Sequence, residues 1–138
     1  MRYLLDTQIL LWLFLRSHLV EQRIRTVLAD PANVVYASAA TTWEIAIKIR
    51  LGKLQLPGDP GQYLSDRIQR AGFTILPIVP AHTYGVFALP FHHHDPFDRL
   101  LIAQAQVEAM IVVTSDRIFE KYDVMRLVTE RVAYAADR

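Results

Sequence analysis

The short apolar runs of this chain constrain its fold most: Tyr3-Leu4-Leu5, Val34-Val35-Tyr36, Phe73 to Leu76, Ile111-Val112-Val113 and Met125 to Val128 carry no regular polar face. Strands of that kind are buried on both sides, and runs of them separated by helical segments predict a parallel sheet covered by helices on both faces. The intervening segments read as those helices. Ile9 to Phe14 is apolar on nearly every face, and Ser17 is placed to cap a helix through Val20, Ile24, Val27 and Leu28 that ends at Asp30-Pro31. Ser38 or Thr41 opens another through Trp43, Ile45, Ile47 and Ile49, with Gly52 where a C-terminal glycine belongs. Further helices are expected from about Gly61 to Ala71, Ala81 to Leu89, Phe97 to Met110 and Asp116 to Tyr122. Pro90 to Pro96 holds three consecutive histidines without periodicity and reads as a loop. The expectation is a single domain over residues 1–138, a three-layer α/β/α arrangement around a five-stranded parallel sheet.

Composition supports folding without staples. A chain of 138 residues that is 52% hydrophobic and 21% charged can bury a sizeable core, and with no cysteine it has no disulfide, thiolate nucleophile or cysteine-ligated metal. The formal charge of +1 announces neither a nucleic-acid nor a membrane binder, so such a partner must be met by a local patch. The apolar run Ile9 to Leu15 is far shorter than the roughly 20 residues of a membrane span. A mature, soluble, cytoplasmic protein is expected.

In a parallel α/β sheet every strand-to-helix connection emerges at one edge, and ligands bind there at the switch in strand order. Acids occupy those connections: Asp6 after the first strand, Glu44 in the first turns after the second, Asp98 at the start of the helix before the fourth, and Asp116 after the fourth. Each has a plain explanation as a helix cap, since a carboxylate satisfies free N–H groups and the helix dipole. Asp95-Pro96-Phe97-Asp98 resembles a cap with proline at the first helical position, and Thr41 to Glu44 matches a Ser/Thr-x-x-Glu capping box. The set is harder to explain. If a helix start draws an acid about one time in three, four at one edge arise by chance on the order of once in a hundred. Carboxylates so gathered repel by roughly 4 kcal/mol per pair at 4 Å and an effective dielectric near 20, so a cation belongs among them. With oxygen donors alone the natural choices are Mg²⁺ or Mn²⁺, and the chemistry such a cluster serves is phosphodiester hydrolysis.

Other features are weaker. His92-His93-His94 cannot all face one ion and has no Cys or HExxH frame, so these residues are expected to be solvated or to touch substrate phosphate. Lys48, Arg50 and Lys53 after Glu44, with Arg99 after Asp98, supply positive charge near the acids or form a solvated face. Trp12 and Trp43 sit among aliphatics and read as core or as a partner-facing patch. The apolar surface of Ile9 to Phe14 and Trp43 to Ile49 exceeds the needs of one small core and calls for a second copy or a partner.

Leu4-Leu5-Asp6-Thr7, Trp43-Glu44-Ile45-Ala46 running to Arg50-Leu51-Gly52-Lys53-Leu54, Asp95 to Ala105 and Val113-Thr114-Ser115-Asp116 together resemble the PIN domain nucleases, in particular the VapC-like toxins of bacterial toxin–antitoxin pairs. That resemblance implies that Asp6, Glu44, Asp98 and Asp116 form a four-acid Mg²⁺ site, with Thr114 beside the last of them. It makes Thr7, Asp95 and Arg99 candidate substrate or auxiliary residues. It further implies ribonuclease activity, a homodimer and an antitoxin partner whose tail covers the site. Gln8 stands where relatives often carry His and His94 where many carry Arg, departures that bear on substrate contact. Two alternatives remain open: a PIN-like module that binds without cleaving, and a phosphate-accepting receiver domain. The receiver reading calls for adjacent acids after the first strand and a Lys after the last, whereas Asp6 is followed by Thr7 and the basic residue there, Arg126, lies in the final strand rather than after it.

Overall fold

Period-two alternation along each strand sends neighbouring side chains into different cores. The computed structural model describes residues 1–132; residues 133–138 of the expected domain lie outside the described residues. Strands β1 (Arg2–Leu5), β2 (Val34–Ser38), β3 (Thr74–Leu76), β4 (Ile111–Thr114) and β5 (Arg126–Val128) form one sheet in the order β3-β2-β1-β4-β5, with every neighbouring pair parallel. Tyr3, Leu5, Val35, Ala37 and Val113 face one core, closed by α1 (Thr7–Leu15), α2 (Gln22–Ala29), α3 (Ala39–Arg50) and α4 (Pro60–Arg70). Leu4, Leu76 and Val112 face the other, closed chiefly by Leu101, Ile102 and Ala105 of α6 (Pro96–Glu108) and by Phe119. The short α5 (Pro80–Phe87) packs on α6. The expected three-layer α/β/α arrangement with a five-stranded parallel sheet is therefore the one observed. Leu4 and Leu5 are wholly buried on opposite faces, each contributing on the order of 2 kcal/mol, so β1 anchors both cores.

Local chemistry moves several expected boundaries. Ser17 caps no α-helix: Ser17–Leu19 is a 3₁₀ turn, Val20 fills the core from a loop, and α2 begins only at Gln22. The Ser38 hydroxyl accepts from Ala40 N at 2.9 Å and caps α3, which leaves Thr41 inside the helix, so the Thr41–Glu44 capping box does not form. Arg117–Lys121 is likewise a 3₁₀ turn rather than an α-helix. The expectation that α1 carries spare apolar surface holds only in part: Ile9, Leu10, Leu11 and Phe14 are buried in the first core, whereas Trp12 and Leu13 are half-buried. On α3 it holds for Trp43, which is 57% exposed.

Two features fix α3 relative to its neighbours. At its N-terminus the buried Ser38 hydroxyl also donates to Gln104 Oε1 of α6 at 2.6 Å, and Gln104 reaches His82 Nδ1 of α5 at 3.3 Å. At its C-terminus Gly52, with φ +73°, turns the chain so that Lys53 N donates back to Lys48 O at 2.9 Å. A β-carbon at Gly52 meets no atom within 4 Å, so the demand for glycine there is conformational rather than steric crowding.

Candidate metal centre

From β1 the chain winds outward through β2 to β3, then returns to place β4 and β5 on the other side of β1. The strand order therefore switches between β1 and β4, where a crevice opens at the carboxyl ends of the strands. Asp6 N donates to Val113 O at 3.0 Å and holds the two strand ends together. Asp6 leaves β1 and Asp116 follows β4 at that point, while α3 brings Glu44 and α6 brings Asp98. All four line one cleft of about 440 Å³, together with Thr7, Asp95 and Lys48.

The cleft's acids differ in what else they do. Asp6 caps α1, its Oδ1 accepting from Ile9 N at 2.8 Å, while Oδ2 accepts the Thr114 hydroxyl at 2.5 Å. Asp116 caps the following 3₁₀ turn through Ile118 N at 3.0 Å, and Asp95 caps α6 through Phe97 N and Asp98 N. Asp98 and Glu44 cap nothing. Glu44 is buried; its Oε1 accepts the Thr7 hydroxyl at 2.6 Å and its Oε2 meets Lys48 Nζ at 3.1 Å. Capping also leaves Asp6 unexplained. Ser or Asn caps as well without burying a charge, yet burial pushes the Asp6 carboxyl up to about 7, with Asp98 and Asp116 adding to the rise against the Thr114 and Ile9 hydrogen bonds. Burial, reinforced by Asp95, pushes Asp98 up to about 6 despite an opposing hydrogen bond from His93.

Of the auxiliary residues, Thr114 and Thr7 each fix one oxygen of an acid. Arg99 does not line the cleft: it is buried, lies over the Phe91 ring, and donates to Pro90 O at 2.8 Å and to the Tyr122 hydroxyl at 3.2 Å. Arg50 is exposed, as a solvated face predicts.

His93 departs from the expectation of a solvated tract. Its Nδ1 lies 2.7 Å from the Tyr122 hydroxyl and its Nε2 lies 3.2 Å from Asp98 Oδ2, whereas His92 and His94 are exposed. An ionised Asp98 only accepts, so Nε2 carries the hydrogen toward it; in the neutral ring Nδ1 then accepts from the Tyr122 hydroxyl, whose oxygen accepts from Arg99. Nothing in the sequence marks His93 apart from its two neighbours, and its partner Tyr122 lies far along the chain.

The donors around the cleft are carboxylate and hydroxyl oxygens, without cysteine, and burial together with mutual repulsion leaves two of the carboxyls reluctant to ionise. That is the donor set a hard divalent cation takes. Among the described residues no three His, Asp or Glu side chains are already drawn into a cage for a metal ion.

An acidic crevice at the switch of a five-stranded parallel sheet defines an α/β protein of a restricted class. The chain belongs to the PIN domain family, which it matches over residues 3–125. Ribonuclease VapC16 of Mycobacterium tuberculosis is 44% identical over 59 residues, which are 43% of this chain and 42% of that protein, so the match spans less than half of the curated relative. Among solved structures, VapBC2 from Rickettsia felis bound to a DNA fragment from their promoter aligns with a TM-score of 0.73 at 16% identity, covering 94% of this chain and 100% of that one. FitAcB from Neisseria gonorrhoeae aligns at 0.59 and 22% identity over 91% and 96% of the two chains. These likenesses establish the fold. Among the described residues no helix is long and apolar enough to cross a membrane.

Proposed function

We propose that the protein is a Mg²⁺- or Mn²⁺-dependent endoribonuclease, the toxin of a cytoplasmic toxin–antitoxin pair. The observation that carries this reading is the convergence of Asp6, Glu44, Asp98 and Asp116 from four elements onto one cleft at the β1/β4 switch. The partial match to a named ribonuclease supports the substrate class. Asp6, Asp98 and Asp116 hold the cation, and Glu44 assists as a ligand or by orienting water. When bound, the cation supplies a lowered pKa for coordinated water and neutralises charge on the phosphate oxygens. The chain's residues position this chemistry. Thr114 fixes Asp6 Oδ2, Thr7 fixes Glu44 Oε1, Lys48 offsets the Glu44 charge beside the cleft, and His93 fixes Asp98 Oδ2.

An antitoxin has a surface to meet. A groove of about 510 Å³ runs between α3 and α4 and is lined largely by apolar side chains including Ile45, Ile49, Leu64, Ile68 and Phe73. In the proposed homodimer a second copy covers the exposed Trp43, which packs edge-on against Phe97 with ring centroids 5.2 Å apart.

The test is cleavage of a structured RNA by purified protein. Cleavage in Mg²⁺ that stops in chelator and is lost in Asp98→Asn supports the reading. Chelator-resistant cleavage overturns the metal, and metal-replete protein without cleavage favours the binding-only module. His93→Ala is expected to lower kcat about 10- to 100-fold, and Tyr122→Phe less, because loss of an outer partner loosens a metal-binding carboxylate. Unchanged Mg²⁺ dependence and kcat in His93→Ala would make its contact with Asp98 purely structural.

A further inference from the structure

A second groove, of about 360 Å³, opens beside the acidic cleft and shares two of its lining residues, Gln8 and Lys48. Its charge is opposite. Arg16, Lys48, Lys53 and Arg131 line it, with apolar surface from Trp12 and Leu54, and among the described residues no Asp or Glu contributes. Separate elements assemble it. Arg16 ends α1, the Gly52 turn folds Lys53 back against Lys48, and the segment carrying Arg131 is held against the 3₁₀ turn by Val132 N donating to Leu19 O at 2.9 Å. In a chain of formal charge +1 this is a local patch of the kind a polyanion requires.

We propose that this groove is the track that holds single-stranded RNA on one side of the scissile phosphate, a reading that rests on the nuclease assignment of the adjoining cleft. Cations alone would suit any polyanion. Cations beside the flat Trp12 ring and an aliphatic wall suit a strand that alternates phosphates with bases, since backbone charge and base stacking are then met in one groove. Lys48 stands at the junction, paired with Glu44 at 3.1 Å. It divides the basic track from the acidic centre, so a strand lying in the groove passes directly into the cleft. Arg16 and Lys53 are exposed and belong to the track alone.

The test uses Arg16→Glu, Lys53→Glu and the milder Lys53→Gln, with Arg70→Glu as a control cation exposed at the end of α4 and lining neither groove. Affinity is measured by fluorescence anisotropy in the cleavage-poor Asp98→Asn background, with a short labelled single-stranded RNA, the matching DNA and a polyglutamate peptide. Each charge reversal is expected to raise the Kd for RNA about tenfold, and to flatten the dependence of log K on log salt by about 0.7 per lost phosphate contact. In the active protein the same changes raise KM and leave kcat and melting temperature unchanged. Equal loss for DNA assigns the track to backbone and bases alone, while a larger loss for RNA adds recognition of the 2′-hydroxyl; both support it. Unchanged RNA affinity, an equal loss from Arg70→Glu, or a loss confined to polyglutamate overturns it, the last assigning the groove to an acidic protein segment. The two readings fail separately. Normal cleavage with unaltered KM in Arg16→Glu and Lys53→Glu removes the track and leaves the nuclease, whereas wild-type protein that binds RNA through these residues without cleaving it removes the nuclease and leaves the track.

Discussion

Asp6→Asn is expected to raise the melting temperature of the cation-free protein at about pH 8 while lowering RNA cleavage about a hundredfold or more. The two effects have one origin. Burial with two neighbouring acids takes the Asp6 carboxyl from 3.8 to about 7, a displacement worth roughly 4 kcal/mol against the folded state once the group is ionised. Asparagine removes that charge and keeps an oxygen for Ile9 N, so the helix cap survives. The Thr114 hydroxyl must then accept rather than donate, and the net gain is expected to be about 2 kcal/mol. A carboxylate that served only as a cap would give the opposite sign, a neutral or destabilising change. Melting in chelator and cleavage in Mg²⁺, measured on the same preparations, separate the two cases.

The pH dependence of the cation-free protein follows from the same groups. Both raised carboxyls bind protons more tightly in the folded state than in the unfolded chain, so the folded form carries the extra protons between their unfolded and folded values. Stability is therefore expected to fall as pH rises from about 4 to about 7 and to level above that, the reverse of the usual salt-bridged carboxylate. Other groups titrate across this window, so the informative quantity is the difference between wild type and Asp6→Asn. Urea midpoints at about pH 5 and about pH 8 should diverge for the two proteins, with the variant gaining at the higher pH. Equal midpoints at both values would mean that Asp6 is not a strained buried charge.

The sheet was legible because its strands lack a regular polar face, a property that survives in the sequence whatever surrounds it. The acids were legible because the edge of a parallel sheet places them by topology alone. What sequence left hidden depends on long-range partners. Ser17 has the chemistry of a cap, but Val20 is needed in the core and Thr129 and Glu130 tie down Glu21, so the chain makes a 3₁₀ turn there and α2 starts later. Thr41 and Glu44 have capping-box spacing, but Ser38 reaches Ala40 first, which frees Glu44 to face Thr7 and Lys48. His93 is one of three identical neighbours, and only the approach of Tyr122 and Asp98 singles it out. Arg99 follows an acid in sequence, yet helical geometry turns it away from the cleft to Tyr122 and Pro90.

Cation binding itself decides whether these acids form one site. Mn²⁺ titration followed by the EPR signal of the free ion, paired with melting curves, is made on wild type, Asp6→Asn, Glu44→Gln, Asp98→Asn and Asp116→Asn. The expected result is saturable binding by wild type that each substitution at an aspartate weakens about tenfold or more, with Glu44→Gln changed less. At a hundredfold excess over Kd the wild-type fold should gain about 2.7 kcal/mol, roughly 8 °C in melting temperature, and the aspartate variants much less. Mn²⁺ bound equally by wild type and every variant, or no saturable binding at millimolar Mn²⁺ with a melting temperature indifferent to the ion, would return the acids to separate structural roles and contradict a cation-dependent nuclease.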